Sequence, residues 1–152
     1  MRSFAYPAVL TPEKKGQFTV QFPDLPEAIT SGRNLADALA QASDCLEEAI
    51  AGRISDGLDV PEPSAPRSKR GSRAPGTDAM VLLPAAMAAK AALYLAVRAA
   101  GVSNSELARR LDVDEREIRR LLDPRHATRL ARIQQVLEAL GLRLVVSLDS
   151  TA

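Results

Sequence analysis

The stretch SNSELARRLDVDEREIRRLL, residues 103–122, decides how the C-terminal half of the chain folds. Ser103 stands where a helix N-cap is needed, and Glu106, three residues on, completes a capping box. Leu107 and Leu111 recur at helical spacing and face inward, while Ala108 is small where a second helix crosses closely. Asp112 falls in the turn, where the chain needs a left-handed residue; Gly is the common choice and Asp is tolerated. Val113 plugs the turn. Asp114 caps a second helix with Glu117 at its third position, and Ile118 and Leu121 point back inward. Glu115, Arg116, Arg119 and Arg120 remain outside. This is the pattern of a helix-turn-helix, whose second helix lies in the major groove of DNA. The plainer reading is a structural helical hairpin with a solvated arginine face.

On the DNA-binding reading, Arg116, Arg119 and Arg120 read bases or clamp phosphates, and Asn104 and Arg125 anchor phosphates. Glu115 accepts from a cytosine amino group. Glu115 and Glu117 also repel phosphate, so each module binds moderately and affinity requires a dimer on half-sites about one helical turn apart. His126 either joins Arg125 and Thr128 near a phosphate or is a loop residue. A further helix is expected from about Thr128 to Leu140, ending at Gly141. Beyond it Leu144, Val146 and Leu148 alternate with Val145 and Ser147, which predicts a terminal strand over 142–148. Its partner is either the apolar segment 79–83 or the same strand in a second copy.

Upstream, Pro84 suits the first position of a helix that runs to Ala100 and closes at Gly101. The alanine-rich stretch 85–92 reads as tight helix packing interrupted by Lys90. Before it, PEPSAPRSKRGSRAPGT (61–77) has four prolines, two glycines and no large apolar residue, so it reads as a flexible basic linker. The expected division is a domain over 1–62, a linker over 63–78 and a second domain over 79–152. Segment 79–83 is an alternative fourth strand for the first domain.

That first domain reads as β-β-β-α. Residues 3–10 and 17–22 are strands, the second alternating Phe18, Val20 and Phe22 with polar residues. Pro7 confines the first strand to an edge or a bulge. A short strand follows at 27–31. Asn34 then caps a helix to about Ala51, stopped by Gly52, with Leu35, Leu39, Ala42, Leu46 and Ile50 facing the sheet. Asp37, Gln41, Asp44 and Glu48 form its opposite, acidic face. Cys45 sits in the apolar stripe as a core filler.

Charge divides the same way. Residues 1–60 carry nine acids and five bases, whereas 61–152 carry fifteen bases and ten acids, six of the arginines lying between Arg109 and Arg125. The two halves suit two partners, one basic and one polyanionic. Aromatics are 3% of residues, and there is one Cys and one His. That leaves little for metal or nucleophilic chemistry and excludes a disulfide framework. No apolar run approaches the roughly 20 residues that span a bilayer, and MRSFAYPAVLTPEKK has no signal-peptide core. The expectation is a cytoplasmic protein, not an enzyme, with no cofactor, no metal and no membrane partner.

The two halves together resemble the HicB-type antitoxins of bacterial toxin–antitoxin pairs. The N-terminal likeness rests on Phe22-Pro-Asp-Leu-Pro26, Thr30-Ser-Gly32, the helix beginning Leu35-Ala-Asp-Ala-Leu-Ala-Gln-Ala, and Pro61-Glu-Pro-Ser64, within residues 4–64. Over 81–148 the chain resembles the repressor-type helix-turn-helix of one branch of that family. Glu27-Ala28 departs from the family's frequent Gly after Asp-Leu-Pro. The resemblance implies an α+β protein: a partial RNase H-like β-β-β-α domain followed by an all-α helix-turn-helix domain with a terminal strand. It implies that the first domain binds and masks a small basic ribonuclease toxin, HicA, and that the second represses the pair's own operon. Asp24, Asp37, Asp44 and Glu48 are then the candidate toxin contacts. The other partners expected are operator double-stranded DNA and further copies of the chain, as a dimer or higher oligomer. Two other classes stay open: a free-standing transcriptional regulator with an N-terminal sensing or assembly domain, and an RNA-processing enzyme.

Overall fold

The computed structural model describes residues 1–66 and 77–150. Its α+β chain divides at Ala88/Ala89 into two compact units. Most of the expected linker, 67–76, lies outside the described residues.

The first unit is built on an antiparallel sheet of four strands: β1 (Ala5–Pro12), β2 (Phe18–Phe22), β3 (Leu25–Gly32) and β4 (Thr77–Leu82), in the order β3-β2-β1-β4. Segment 79–83 therefore pairs largely within this sheet, running from Ala5↔Leu82 to Leu10↔Thr77. A break in register at Gln21/Phe22 marks a bulge before the tight turn into β3. Tyr6, Ala8 and Leu10 alternate on the covered face and are fully buried, as are Val20 and Leu25. The helix α1 (Leu35–Ser55) covers that face with Ala38, Ala42, Leu46, Ile50 and Ile54.

Three expectations for this unit need correction. β1 is an inner strand despite Pro7. At Pro7 only β4 is alongside, because pairing with β2 begins at Val9, so the missing N–H costs no ladder bond on the β2 side. Gly52 does not stop α1. The helix continues to Ser55, buries Ile54 and carries Arg53 to Glu27, and the left-handed residue that follows its end is Gly57 (φ +68°). Leu35 and Leu39 are exposed, because the buried stripe begins at Ala38. There β3 meets α1 so closely that a Cβ on Gly32 would lie 2.2 Å from the backbone nitrogen of Ala38.

Beyond α1 the chain returns across the unit and is tied down three times. Arg2 pairs with Glu62 at 2.6 Å, the Tyr6 hydroxyl donates to the Pro61 carbonyl at 2.8 Å, and Ser64 N–H donates to Asp24 at 2.9 Å. Val60, just before these ties, is buried. Burial pushes the Tyr6 phenol up to about 12, so it remains a hydrogen-bond donor at any physiological pH.

The second unit contains α3 (Asn104–Leu111), α4 (Glu115–Leu122) and α5 (Leu130–Ala139), with the larger part of α2 (Ala85–Ala100). Its core joins Leu93, Ala96 and Val97 to Leu107, Ala108, Ile118, Leu121, Ile133, Val136 and Leu137. Helices of eight to ten residues are marginal alone, and this shared core holds them. The expected terminal strand is not formed. Residues 142–149 make no ladder, and Leu142, Val145, Val146 and Leu148 stand exposed. A period-2 pattern marks a face and cannot supply a partner.

Candidate functional site

The arginine-bearing face is positioned by local chemistry. Ser103 Oγ accepts from Glu106 N–H at 3.1 Å and Asp114 Oδ1 from Glu117 N–H at 2.9 Å, so both α3 and α4 begin on side-chain caps. Between them Asp112 is left-handed (φ +53°, ψ +50°), and Val113 N–H reaches back to the Ala108 carbonyl at 3.0 Å. Leu107 and Ile118 are fully buried where the two helices meet. Neither capping-box glutamate completes its expected reciprocal bond. Glu106 instead pairs with Arg109 and Arg110, and Glu117 reaches across to Arg132 on α5 at 2.6 Å.

That redistribution sets the charge of the face. The pairs occupy Arg109, Arg110 and Arg132. Glu115, Arg116, Arg119 and Arg120 are exposed and take part in no ion pair among the described residues. Asn104 is exposed in the first turn of α3. Past α4, Asp123 organises the loop: its carboxylate accepts from Arg125 N–H at 2.9 Å and its carbonyl from His126 N–H at 3.2 Å. His126 Nδ1 lies 3.2 Å from the Ala127 carbonyl oxygen. An open groove of about 550 Å³ runs between α4 and the start of α5, lined by Arg116, Arg120, His126, Thr128, Arg129 and Arg132. The first turn of α5 has no side-chain cap, leaving backbone N–H groups at that end.

One residue behind this face is not recognisable from sequence. Lys90 on α2 is only 6% exposed, and its ammonium donates to the carbonyls of Arg120 (3.2 Å) and Leu121 (2.8 Å) and to Thr128 Oγ1 (2.7 Å). Burial pushes its pKa down, opposed by the Asp123 carboxylate. Only the interruption of an apolar stretch by a single lysine could have drawn attention to it.

In the first unit the four acids expected to meet a partner do not form one cluster. Asp24 sits in the β2–β3 turn and holds Ser64. Asp37, in the first turn of α1, accepts from the backbone N–H of Arg33 at 2.9 Å, which holds its carboxyl below the usual range together with the Arg33 guanidinium. Asp44 and Glu48 lie one turn apart on the exposed side of α1. Arg53 donates to both oxygens of Glu27 (2.5 and 3.0 Å) and to the Asp59 carbonyl, and the bond to Arg53 lowers the Glu27 pKa. Cys45 is half-buried, and desolvation raises its thiol pKa, which leaves little thiolate for nucleophilic chemistry. Among the described residues no three His, Cys, Asp or Glu side chains are placed to hold a metal ion, and no single helix is long and apolar enough to cross a membrane.

Comparison with known proteins identifies the family. Residues 5–92 match the family described as HicB-like antitoxins of bacterial toxin–antitoxin systems. Antitoxin HicB of Escherichia coli (strain K12) is 34% identical over 139 residues, covering 91% of this chain and 95% of its own. Antitoxin HicB 2 of Photorhabdus laumondii is 35% identical over 143 residues, covering 94% and 95%. The crystal structure of the N-terminal domain of Burkholderia pseudomallei antitoxin HicB superposes with a TM-score of 0.44 at 17% identity, over 53% of this chain and 99% of that one. On its family match and its full-length relatives, the chain belongs to the HicB-like antitoxins of bacterial toxin–antitoxin systems, which are non-enzymatic regulatory proteins.

Proposed function

We propose that the first unit neutralises a small basic ribonuclease toxin of the HicA type and that the second binds operator DNA to repress the pair's own operon. The observation that carries the second half is the α3–α4 pair. It has two capped helices, a left-handed turn at Asp112 and an outer face whose arginines are in no ion pair among the described residues. We read it as a helix-turn-helix with α4 in the major groove. Arg116, Arg119 and Arg120 contact bases and phosphates, Glu115 accepts from a cytosine amino group, and Asn104 and Arg125 anchor the backbone. A two-fold operator requires two copies. The exposed apolar residues Leu142, Val145, Val146 and Leu148 support self-association through the C-terminal segment.

Antitoxin membership and the acidic side of α1 support the first half of the reading. We take Asp44 and Glu48 as the direct contacts for a cationic toxin, while Asp24 and Asp37 add negative charge elsewhere on the unit. In this reading the β-β-β-α-β unit is a partial RNase H-like fold used for binding, without catalysis. Expression from the native operon, followed by purification through a tag on this chain, tests both halves. Stoichiometric recovery of a small basic protein that is toxic when expressed alone supports the toxin-binding half, and its absence removes that half. Retention of a duplex taken from directly upstream of the reading frame, against a shuffled duplex, supports operator binding; equal retention of both removes it.

A further inference from the structure

We propose that Lys90 is the positioning residue of the DNA-binding face: its ammonium pins the last turn of α4 to the residue that leads into α5. This rests on the operator-binding reading above. A buried lysine is costly unless its donors are satisfied, and here all three are, by Arg120, Leu121 and Thr128. The acceptors lie on both sides of the loop that holds Arg125 and His126. One cation therefore fixes the C-terminal end of α4, which carries Arg119 and Arg120, and the far end of the loop that follows.

The geometry requires such a tie. α4 is eight residues long, and its final carbonyls have no partner within the helix. Pro124 prevents the helix from continuing, and the helix's own closing bond, from Asp123 N–H to the Arg120 carbonyl, is long at 3.3 Å. A cation at a helix C-terminus also suits the direction of the backbone dipoles. An apolar side chain of equal length would fill the space but leave the Leu121 carbonyl and the Thr128 hydroxyl without this donor, and the Arg120 carbonyl with only its long bond from Asp123 N–H. Groups that read base edges need placement within about 0.5 Å, which a loosely held eight-residue helix does not give.

The test uses the full chain and a duplex of the region directly upstream of its reading frame. Lys90→Met is expected to lower affinity about tenfold or more while leaving the slope of affinity against salt unchanged, since no phosphate contact is removed. Hydrogen exchange at the amides of Arg125 and His126 is expected to speed up, while α3 keeps its protection. Lys90→Cys in a Cys45→Ser background, alkylated while unfolded to carry an aminoethyl group and then refolded, is expected to recover both properties. A neutral propyl group at the same position is expected not to. If Lys90→Met does not fold, Thr128→Val removes one acceptor and is expected to lower affinity about threefold with faster exchange at the same amides. Wild-type affinity in Lys90→Met, a salt slope reduced by about one, recovery with the propyl group, or wild-type behaviour of Thr128→Val would each overturn the proposal. If the wild-type chain ignores the duplex, the operator reading fails by itself, and the exchange measurements still decide whether Lys90 pins the loop.

Discussion

The two units handle charge in opposite ways. In the first, bases and acids are tied to each other or to the backbone: Arg2 to Glu62, Arg53 to Glu27, Arg33 to Asp37, and Asp24 to Ser64. In the second, acids hold Arg109, Arg110 and Arg132 and leave the three arginines of α4 outside every ion pair among the described residues. Exposed pairs contribute little to stability. What the contrast teaches is where a fold keeps charge available: the first unit presents acids on one side of a long helix, and the second keeps three arginines free of ion pairs, among the described residues, on one short helix.

The largest expected effect breaks the first unit alone. Gly32→Val places a side chain into the Ala38 backbone and should cost about 3 kcal/mol or more, abolishing toxin capture while operator binding persists. Two melting transitions, of which only one moves, would sharpen the division; a single shifted transition would break it. The mirror-image change is Asp112→Val, which puts a β-branched residue at φ +53° and should cost about 1–2 kcal/mol in the second unit, with Asp112→Gly tolerated. Circular dichroism melts of both variants check this, and equal stability of the two would remove the turn's role.

Arg119→Ala touches no core residue. It should weaken operator binding about tenfold and lower the salt slope by about one, with toxin binding intact. Loss of the toxin with the operator retained would invert the assignment of the two faces. The smallest effect concerns acid. The Arg53 bond holds the Glu27 carboxyl below its usual 4.5, so the stabilisation is present above that value and is lost as pH falls through the lowered one. The melting temperature of the first unit should therefore drop below about pH 4.5, and Glu27→Gln should flatten part of that drop. An unchanged profile in Glu27→Gln would show that other carboxylates carry the acid response.

Sequence and structure agree best where the determinants are local. Ser103, Asp112 and Asp114 each act within four residues, so the caps and the turn of the second unit were legible in detail. The strands of the first unit were legible as strands, but their neighbours were not. Which element claims 77–82 depends on residues some 70 positions apart, and whether Pro7 is tolerated depends on where β2 begins to pair. Gly52 was misread because a helix-breaking tendency of about 1 kcal/mol yields to the burial of Ile54 and the grip of Arg53. At 142–148 the sequence alternates, but nothing pairs with it among the described residues. Lys90 stayed hidden because burial of a charge depends on where three acceptors meet, and no spacing rule records that.

The strand order has a consequence for the timing of synthesis. β1 is made early, and its inner position in the sheet is complete only when β4 arrives, with Ala5 opposite Leu82. At roughly 5–20 residues per second, one flank of β1 waits on the order of 4–15 s for its neighbour on the ribosome. Once β3 has been made the sheet has three strands, and until β4 follows β1 presents its β4-facing ladder groups as an open edge. A nascent antitoxin therefore passes through a stage, before any helix of its second unit exists, in which the surface meant for its own fourth strand is open to whatever extended segment comes first.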